Sequence, residues 1–339
     1  MAVKNNKFIK AVKYILLFGL AALLVYLAFR KVNWADFLLG LRQVRWFWIV
    51  LFCVVSVVAL MIRTVRWKEM IVPFDDGISS IKVWDAINIG NMVSLVIPGG
   101  GEVLRCGYVS SKKFEMDKAL GTMFCERLWD FISLLLLFIF LIVFNGGRIG
   151  NYLTEKIIGP AMSNTTLWVL LAAAVLLVAA FVVISYKLRD KYKLFGAVAR
   201  SISRLWIGFG AFSKSRNKAL IVISSFALWF MYVLMSYCIL KAMPALDGLG
   251  LTDAAFFSFV GNIASVVPVP GGIGAYHYLV AAAVGLYGIS WETGILFATL
   301  NHEIHALVIL LIGIVSYIHF VSAGKAAADK PEPSDSSGL

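Results

Sequence analysis

Charged residues that interrupt apolar sequence are the places where this chain could do chemistry. Glu102 and Arg105 stand three apart, Glu126 and Asp130 four apart, and Arg127 lies between the latter two. On a helix each pair shares a face. Two compatible roles fit this set. Arg105 and Arg127 offer planar forks that match a phosphate, with the carboxylates as partners. Alternatively, the five residues form ion pairs that tie one helix to the next. A second set is Tyr276, His277, His302, Glu303 and His305. His302-Glu303-Ile304-His305 lacks the four-residue histidine separation of a helical zinc protease, so neither that chemistry nor a metal is expected. Imidazoles beside a carboxylate titrate near neutral pH. They could gate, contact a head group, or satisfy backbone carbonyls between packed helices.

Two glycine clusters adjoin these sets: Pro98-Gly99-Gly100-Gly101 and Pro270-Gly271-Gly272-Ile273-Gly274. In each, an apolar segment reaches Pro-Gly-Gly, a short segment follows, and a long apolar run carries the polar cluster near its start. A helix broken this way exposes backbone groups, and the restarting helix points N–H groups and a positive dipole end at the break. Such an end suits an anion. The alternative is an ordinary loop between spans.

The elements that position these residues follow from composition. Of 339 residues, 60% are hydrophobic and 15% charged. Soluble domains carry roughly 25% charged residues. A soluble enzyme, a disordered chain and a disulfide scaffold are therefore excluded, and an all-α polytopic membrane protein is expected. The net charge of +12 reads as basic cytoplasmic loops rather than nucleic-acid binding. Cys53, Cys106, Cys125 and Cys238 form no CxxC pair. Neither a zinc site nor a disulfide framework follows.

A span needs about 20 apolar residues. Six runs qualify: 14–29, 46–62, 119–144, 167–186, 219–240 and 293–319. The first is followed by Arg30 and Lys31 rather than a cleavage site, so an uncleaved span is expected. Segments 83–97 and 254–267 lead into the glycine clusters and are expected as re-entrant hairpins. The basic segment 187–218 belongs in the cytoplasm, and 145–166 and 242–252 outside. Both termini are then cytoplasmic. Segment 30–45 has rough helical spacing of apolar residues and is expected as a surface amphipathic helix. The span at 119–144 then runs outward and that at 293–319 inward. Repeat one (about 83–144) and repeat two (about 253–319) become inverted copies within a single domain, 1–324, followed by a disordered cytoplasmic tail, 325–339. Inverted repeats with broken helices are a transporter signature.

Three motifs carry a resemblance. Pro98 to Arg105 resembles a Pro-x-x-x-Gly-Glu-x-x-Arg pattern. Ala119-Leu120-Gly121-Thr122 with Glu126-Arg127-Leu128-Trp129-Asp130 resembles an Ala-x-Gly-x…Glu-Arg-x-x-Asp pattern. Val267 to Gly274 resembles Pro-x-Pro-Gly-Gly-x-Gly. In this order they resemble the transmembrane region of the lysylphosphatidylglycerol synthase, or flippase-like, family across roughly residues 10–322. The resemblance implies a bacterial inner-membrane protein that handles anionic phospholipid or polyprenyl phosphate. Relatives that synthesise aminoacylated lipid carry an additional cytoplasmic domain. The loop 187–218 is too short to hold one, so no catalysis and no cofactor are expected. Many relatives have glutamate where His277 stands and arginine where His302 stands.

The expected head-group site comprises Gly99, Gly100, Gly101, Glu102, Arg105, Glu126, Arg127 and Asp130 from the first repeat. Gly271, Gly272, Gly274, Tyr276, His277, His302 and Glu303 come from the second. Three functions stay open: a lipid flippase, a non-transporting partner of a separate lipid-modifying enzyme, and a membrane-embedded transferase on a lipid carrier. Oligomerisation is compatible with each.

Overall fold

The computed structural model describes residues 18–144, 159, 163–265, 267 and 269–328. Among the described residues the chain is helical, with no strand. The helices are α1 (Phe18–Phe29), α2 (Trp34–Arg42), α3 (Trp46–Ile71), α4 (Ser80–Ser94), α5 (Gly100–Val109), α6 (Met116–Phe144) and α7 (Thr165–Lys187). They continue as α8 (Lys193–Phe209), α9 (Ala211–Lys214), α10 (Lys218–Ala242), α11 (Leu251–Ala264), α12 (Ala275–Gly285) and α13 (Trp291–Ala328).

Four helices among the described residues are long and apolar enough to cross a membrane: α3, α6, α10 and α13. The pair α1 and α2, bent by 82°, adds a fifth when the two are counted as one span. Six full spans were expected from the apolar runs. The run at 14–29 bends away after Phe29 instead of continuing straight, and α7 occupies the place of the run at 167–186. The expected outer loop 145–166 falls almost wholly outside the described residues. The last helix extends through Ala328, four residues into the segment expected as a tail, and 329–339 lie outside the described residues.

The segment after α1 forms the expected amphipathic helix, α2. Asn33 caps it by accepting a hydrogen bond from the Ala35 backbone N–H. Val32, Phe37 and Val44 face inward, whereas Trp34, Leu38 and Leu41 remain exposed.

Two helical hairpins interrupt the long helices. In the first, α4 and α5 pack side by side, and Lys82 Nζ reaches the Val109 carbonyl at 3.4 Å, which closes the open end of the hairpin. That end sits beside the C-terminal end of α3, where Lys68 donates to Ser80 Oγ at 2.9 Å. In the second, α11 and α12 pack together, and Tyr287 donates to Asp253 Oδ1 at 2.9 Å across the open end. This end sits with the N-terminal end of α3, because Arg45 forks onto Asp247 at 2.7 and 2.6 Å. Trp291 Nε1 likewise donates to the Ala28 carbonyl at that end. The two hairpins therefore open at opposite ends of α3 and point their glycine breaks toward the middle.

Long helices bind the hairpins together. Helix α3 packs along α10, and α13 packs against both α4 and α12. Where α13 crosses α4, Gly313 lies against Met92 and the Asn88 carbonyl. A pair between the exposed His319 and the buried Asp85 reinforces this crossing: His319 Nδ1 lies 2.6 Å from Asp85 Oδ2.

The Arg45–Asp247 fork gives a test of the loop that precedes α11. Its hydrogen bonds hold the Asp247 carboxyl below the usual carboxylate range. A carboxyl lowered in the folded state stabilises above its unfolded value, about 3.9, and loses that contribution as pH falls through the lowered value. Asp247→Asn should therefore depress the thermal midpoint slightly at pH 7, with the gap to the wild type closing below about pH 4. A gap that does not narrow at all as pH falls below about 4 would show that the fork is not its source.

Candidate functional site

Around the first glycine break, side chains from three helices build an ion cluster. Arg63 and Arg66 project from α3, Glu102 and Arg105 from α5, and Glu126, Arg127 and Asp130 from α6. Glu126 is the hub. Its Oε1 accepts from Arg63 Nε at 2.9 Å and from Arg66 Nη2 at 3.1 Å, and its Oε2 accepts from Arg105 Nη2 at 2.6 Å. Arg66 also reaches Asp130 at 2.8 Å, and Arg105 Nε donates to Glu102 Oε2 at 2.7 Å. Arg127, more exposed than the rest, lies 3.3–3.4 Å from Glu102, Glu126 and Asp130. The i,i+3 and i,i+4 faces read from the sequence are thus both used.

This geometry carries the reading in which the cluster ties the helices. Arg105 is buried, stacks its guanidinium 4.3 Å from the Trp67 ring and is committed to two carboxylates. Trp67 is itself fixed by donating to Thr122 Oγ1 at 3.2 Å. The four arginines outnumber the three carboxylates by one formal charge. Two buried donors, Arg66 Nε and Arg105 Nη1, have no hydrogen-bond partner. The excess positive charge is a reason for an anion to approach this region.

Arg63 and Arg66 are cluster residues that the sequence reading did not include. Their signal is a pair of arginines three apart directly after the apolar run 46–62. The helix continues through them to Ile71 because acidic partners from α5 and α6 neutralise them.

The two glycine breaks face a common space. A cavity of about 540 Å³ is lined by Pro98, Gly99, Gly271 and Gly272, with Asn91 and Glu102 on its wall. Both polar wall residues are partners of Arg63, so the cavity abuts the ion cluster. Arg105, Arg127, Glu126 and Asp130 stand behind Glu102 and do not line it. Gly100 and Gly101 are held against Ile97 and Gly90 in the α4–α5 hairpin. A second cavity of about 270 Å³ shares Leu95, Ser265, Gly271 and Ile309 with the first. Its walls include Ser236, Asn262, Tyr276, Asn301, His302 and His305. Polar walls of this kind inside an apolar protein are tolerated where the space is wet or holds a polar ligand.

Backbone conformation explains the glycines at the breaks. Gly99, Gly271, Gly272 and Gly274 all have positive φ, from +60° to +85°. Side chains rarely adopt this region, so glycine is the natural residue there. A Cβ on Gly271 would lie 3.2 Å from the Leu95 carbonyl oxygen, which shows how closely the two breaks approach.

The second polar set divides in two. His305 lies 2.7 Å from Ser56 Oγ on α3. His302 joins His277, with ring centroids 5.3 Å apart, and the Tyr276 ring lies tilted 5.0 Å from His302. His302 Nδ1 is 2.9 Å from Glu303 Oε1, and its Nε2 is 2.7 Å from the Gly271 carbonyl. His277 from α12 and His302 and Glu303 from α13 thus come together at the second glycine break.

The family model described as "Lysylphosphatidylglycerol synthase TM region" matches residues 14–313. No curated protein and no solved structure matches the chain.

Proposed function

The chain belongs to the lysylphosphatidylglycerol synthase transmembrane-region family, and from that premise we propose that it is a flippase-like lipid transporter. Its substrate is an anionic phospholipid or a polyprenyl phosphate, moved across the bacterial inner membrane with both termini cytoplasmic. The chain itself carries out no group transfer. One observation carries this reading: the two glycine breaks face each other across a cavity that abuts a cluster with one excess positive charge. A phosphate head group would enter beside Glu102 and Asn91, drawn by the arginines behind them. Exposed backbone at Gly99 and Gly271–Gly272 would let the head group approach closely.

The arrangement of the hairpins supports an inverted repeat. Each half runs hairpin, glycine break, long helix: α4–α5–α6 and α11–α12–α13. The open ends lie at opposite ends of α3. In this reading the hairpins enter the bilayer from opposite faces and meet near its midplane, as in transporters whose site lies at a repeat interface.

The test is reconstitution of the purified chain alone into vesicles containing a fluorescent anionic phospholipid. Transbilayer movement should exceed that in protein-free vesicles. Gly271→Leu, which fills the space between the breaks, should abolish the gain while the protein still incorporates. A parallel set of vesicles with a labelled polyprenyl phosphate identifies which lipid is moved. If the folded chain moves neither lipid alone, the transporter reading is overturned and a role beside a separate lipid-modifying enzyme takes its place.

A further inference from the structure

We propose that His277, His302 and Glu303 form a binding site for a divalent transition-metal ion, zinc foremost, at the second glycine break. The site stands independently of whether the chain moves lipid. One ligand atom from each residue lies within 4.8 Å of the other two. His302 Nδ1 is 2.9 Å from Glu303 Oε1, and His277 Nε2 is 3.6 Å from the same oxygen. A four-coordinate zinc with bonds of about 2.0–2.2 Å keeps its ligand atoms roughly 3.3–3.6 Å apart. The observed separations bracket that range, so small side-chain adjustments would close the site.

Two further features point to an ion rather than to simple packing. The first is the partner of His302 Nε2. It lies 2.7 Å from the Gly271 carbonyl, an acceptor only, so this nitrogen carries the proton. Neutral His302 then turns a lone pair on Nδ1 toward the Glu303 carboxylate, where two acceptors would meet. Either a second proton or a metal ion must stand between them. A backbone carbonyl that orients a ligating imidazole in this way is the usual outer-shell arrangement of metal sites.

The second feature is His277. Only 2% exposed, it has an Nδ1 with no hydrogen-bond partner, and its Nε2 is too far from Glu303 for a hydrogen bond. Phe29 covers one side of its ring at 5.5 Å. His277 Nε2, turned toward Glu303 without a hydrogen bond, is the nitrogen that an ion would ligate. Two imidazoles and one carboxylate leave a fourth position free, the pattern of a zinc site open to an exogenous oxygen ligand. The sequence hides the set because His277 precedes His302 by a full helix, and the eye falls on the pair His302 and His305.

The test uses the purified full chain in detergent, its affinity tag removed and its metals stripped with a chelator. Cobalt(II) serves as the spectroscopic probe and zinc as its competitor. One cobalt per chain should bind with the visible absorption of four-coordination, and zinc should displace it. Zinc should also raise the thermal midpoint, since it binds the folded state. His302→Gln and Glu303→Gln should each weaken cobalt binding by more than about 10-fold, the loss seen even for outer-shell partners. His319→Gln, on the distant α4–α13 contact, should leave it unchanged. If His302→Gln misfolds, Glu303→Gln decides, because its half-exposed side chain supports little of the core. Absence of stoichiometric cobalt binding in the wild type overturns the site. So does binding that survives unchanged in Glu303→Gln.

Discussion

Glu126→Gln should be among the most destabilising single substitutions in this protein. Glu126 is fully buried and takes part in ion pairs with Arg63, Arg66, Arg105 and Arg127. Glutamine keeps the shape but removes the charge. Four guanidiniums would then face Glu102 and Asp130 alone, and Arg66 and Arg105 are too deeply buried to recruit bulk water. Removing one partner of a buried pair costs about 3–5 kcal/mol, because the other charge is left uncompensated. Arg127→Gln offers the contrast. Its side chain is 43% exposed and the remaining arginines still balance the three carboxylates. Exposed pairs contribute at most about 1 kcal/mol. Denaturation midpoints of both variants in detergent settle the matter: equal losses would remove Glu126 as the hub.

The same cluster shows what the sequence could and could not convey. The faces shared by Glu102 with Arg105 and by Glu126 with Asp130 are legible because helical spacing is local. Arg63 and Arg66 are not, because a hydropathy window ends at the first charge. What carries the helix onward is neutralisation by residues 39 to 64 positions away. Chain distance hides Asp85 and His319 as well, since 234 positions separate two residues that meet at 2.6 Å. Among the histidines, local spacing suggests a pair at 302 and 305. A helix places residues three apart on one broad face, yet His305 reaches Ser56 on α3 while His302 turns to the break.

The coarse fold was more legible than the site. Apolar runs and two Pro-Gly-Gly clusters suffice to place the long helices and the broken hairpins. The 82° bend after α1 was not foreseen as part of a span. It follows from the charged Arg30-Lys31 step and the Asn33 cap, which start a new helix that buries only Phe37, with Val32 and Val44 buried in the chain on either side of it. Which cluster residues reach the cavity could not be read either. Arginine chemistry suggests Arg105 and Arg127, but the geometry puts Glu102 at the wall and commits Arg105 to carboxylates behind it.

Gly101→Ala should collapse the first hairpin, and Gly107→Ala on the same helix should not. At Gly101 a Cβ would lie 1.8 Å from the Gly90 carbonyl oxygen and 2.4 Å from Ser94 Oγ. The reciprocal position is as tight, with a Cβ on Gly90 falling 2.7 Å from the Gly101 carbonyl oxygen. Helices α4 and α5 therefore meet backbone to backbone, a contact that small residues permit in membrane proteins. No rotamer relieves a clash with a carbonyl, so the helices must separate. Overpacking usually costs about 1–3 kcal/mol, and a clash with backbone belongs at or above the top of that range. Separation would also carry Glu102, the next residue, away from Arg63 and Arg127, and would displace the Gly99 break from Gly271. Lipid movement should therefore fall together with stability. At Gly107 nothing lies within 4 Å of the added carbon, and alanine in an exposed helix stabilises by up to about 1 kcal/mol over glycine. Thermal midpoints of the two variants should diverge in opposite directions from the wild type. If Gly101→Ala is as stable as Gly107→Ala, the close crossing of α4 and α5 is not what holds the hairpin.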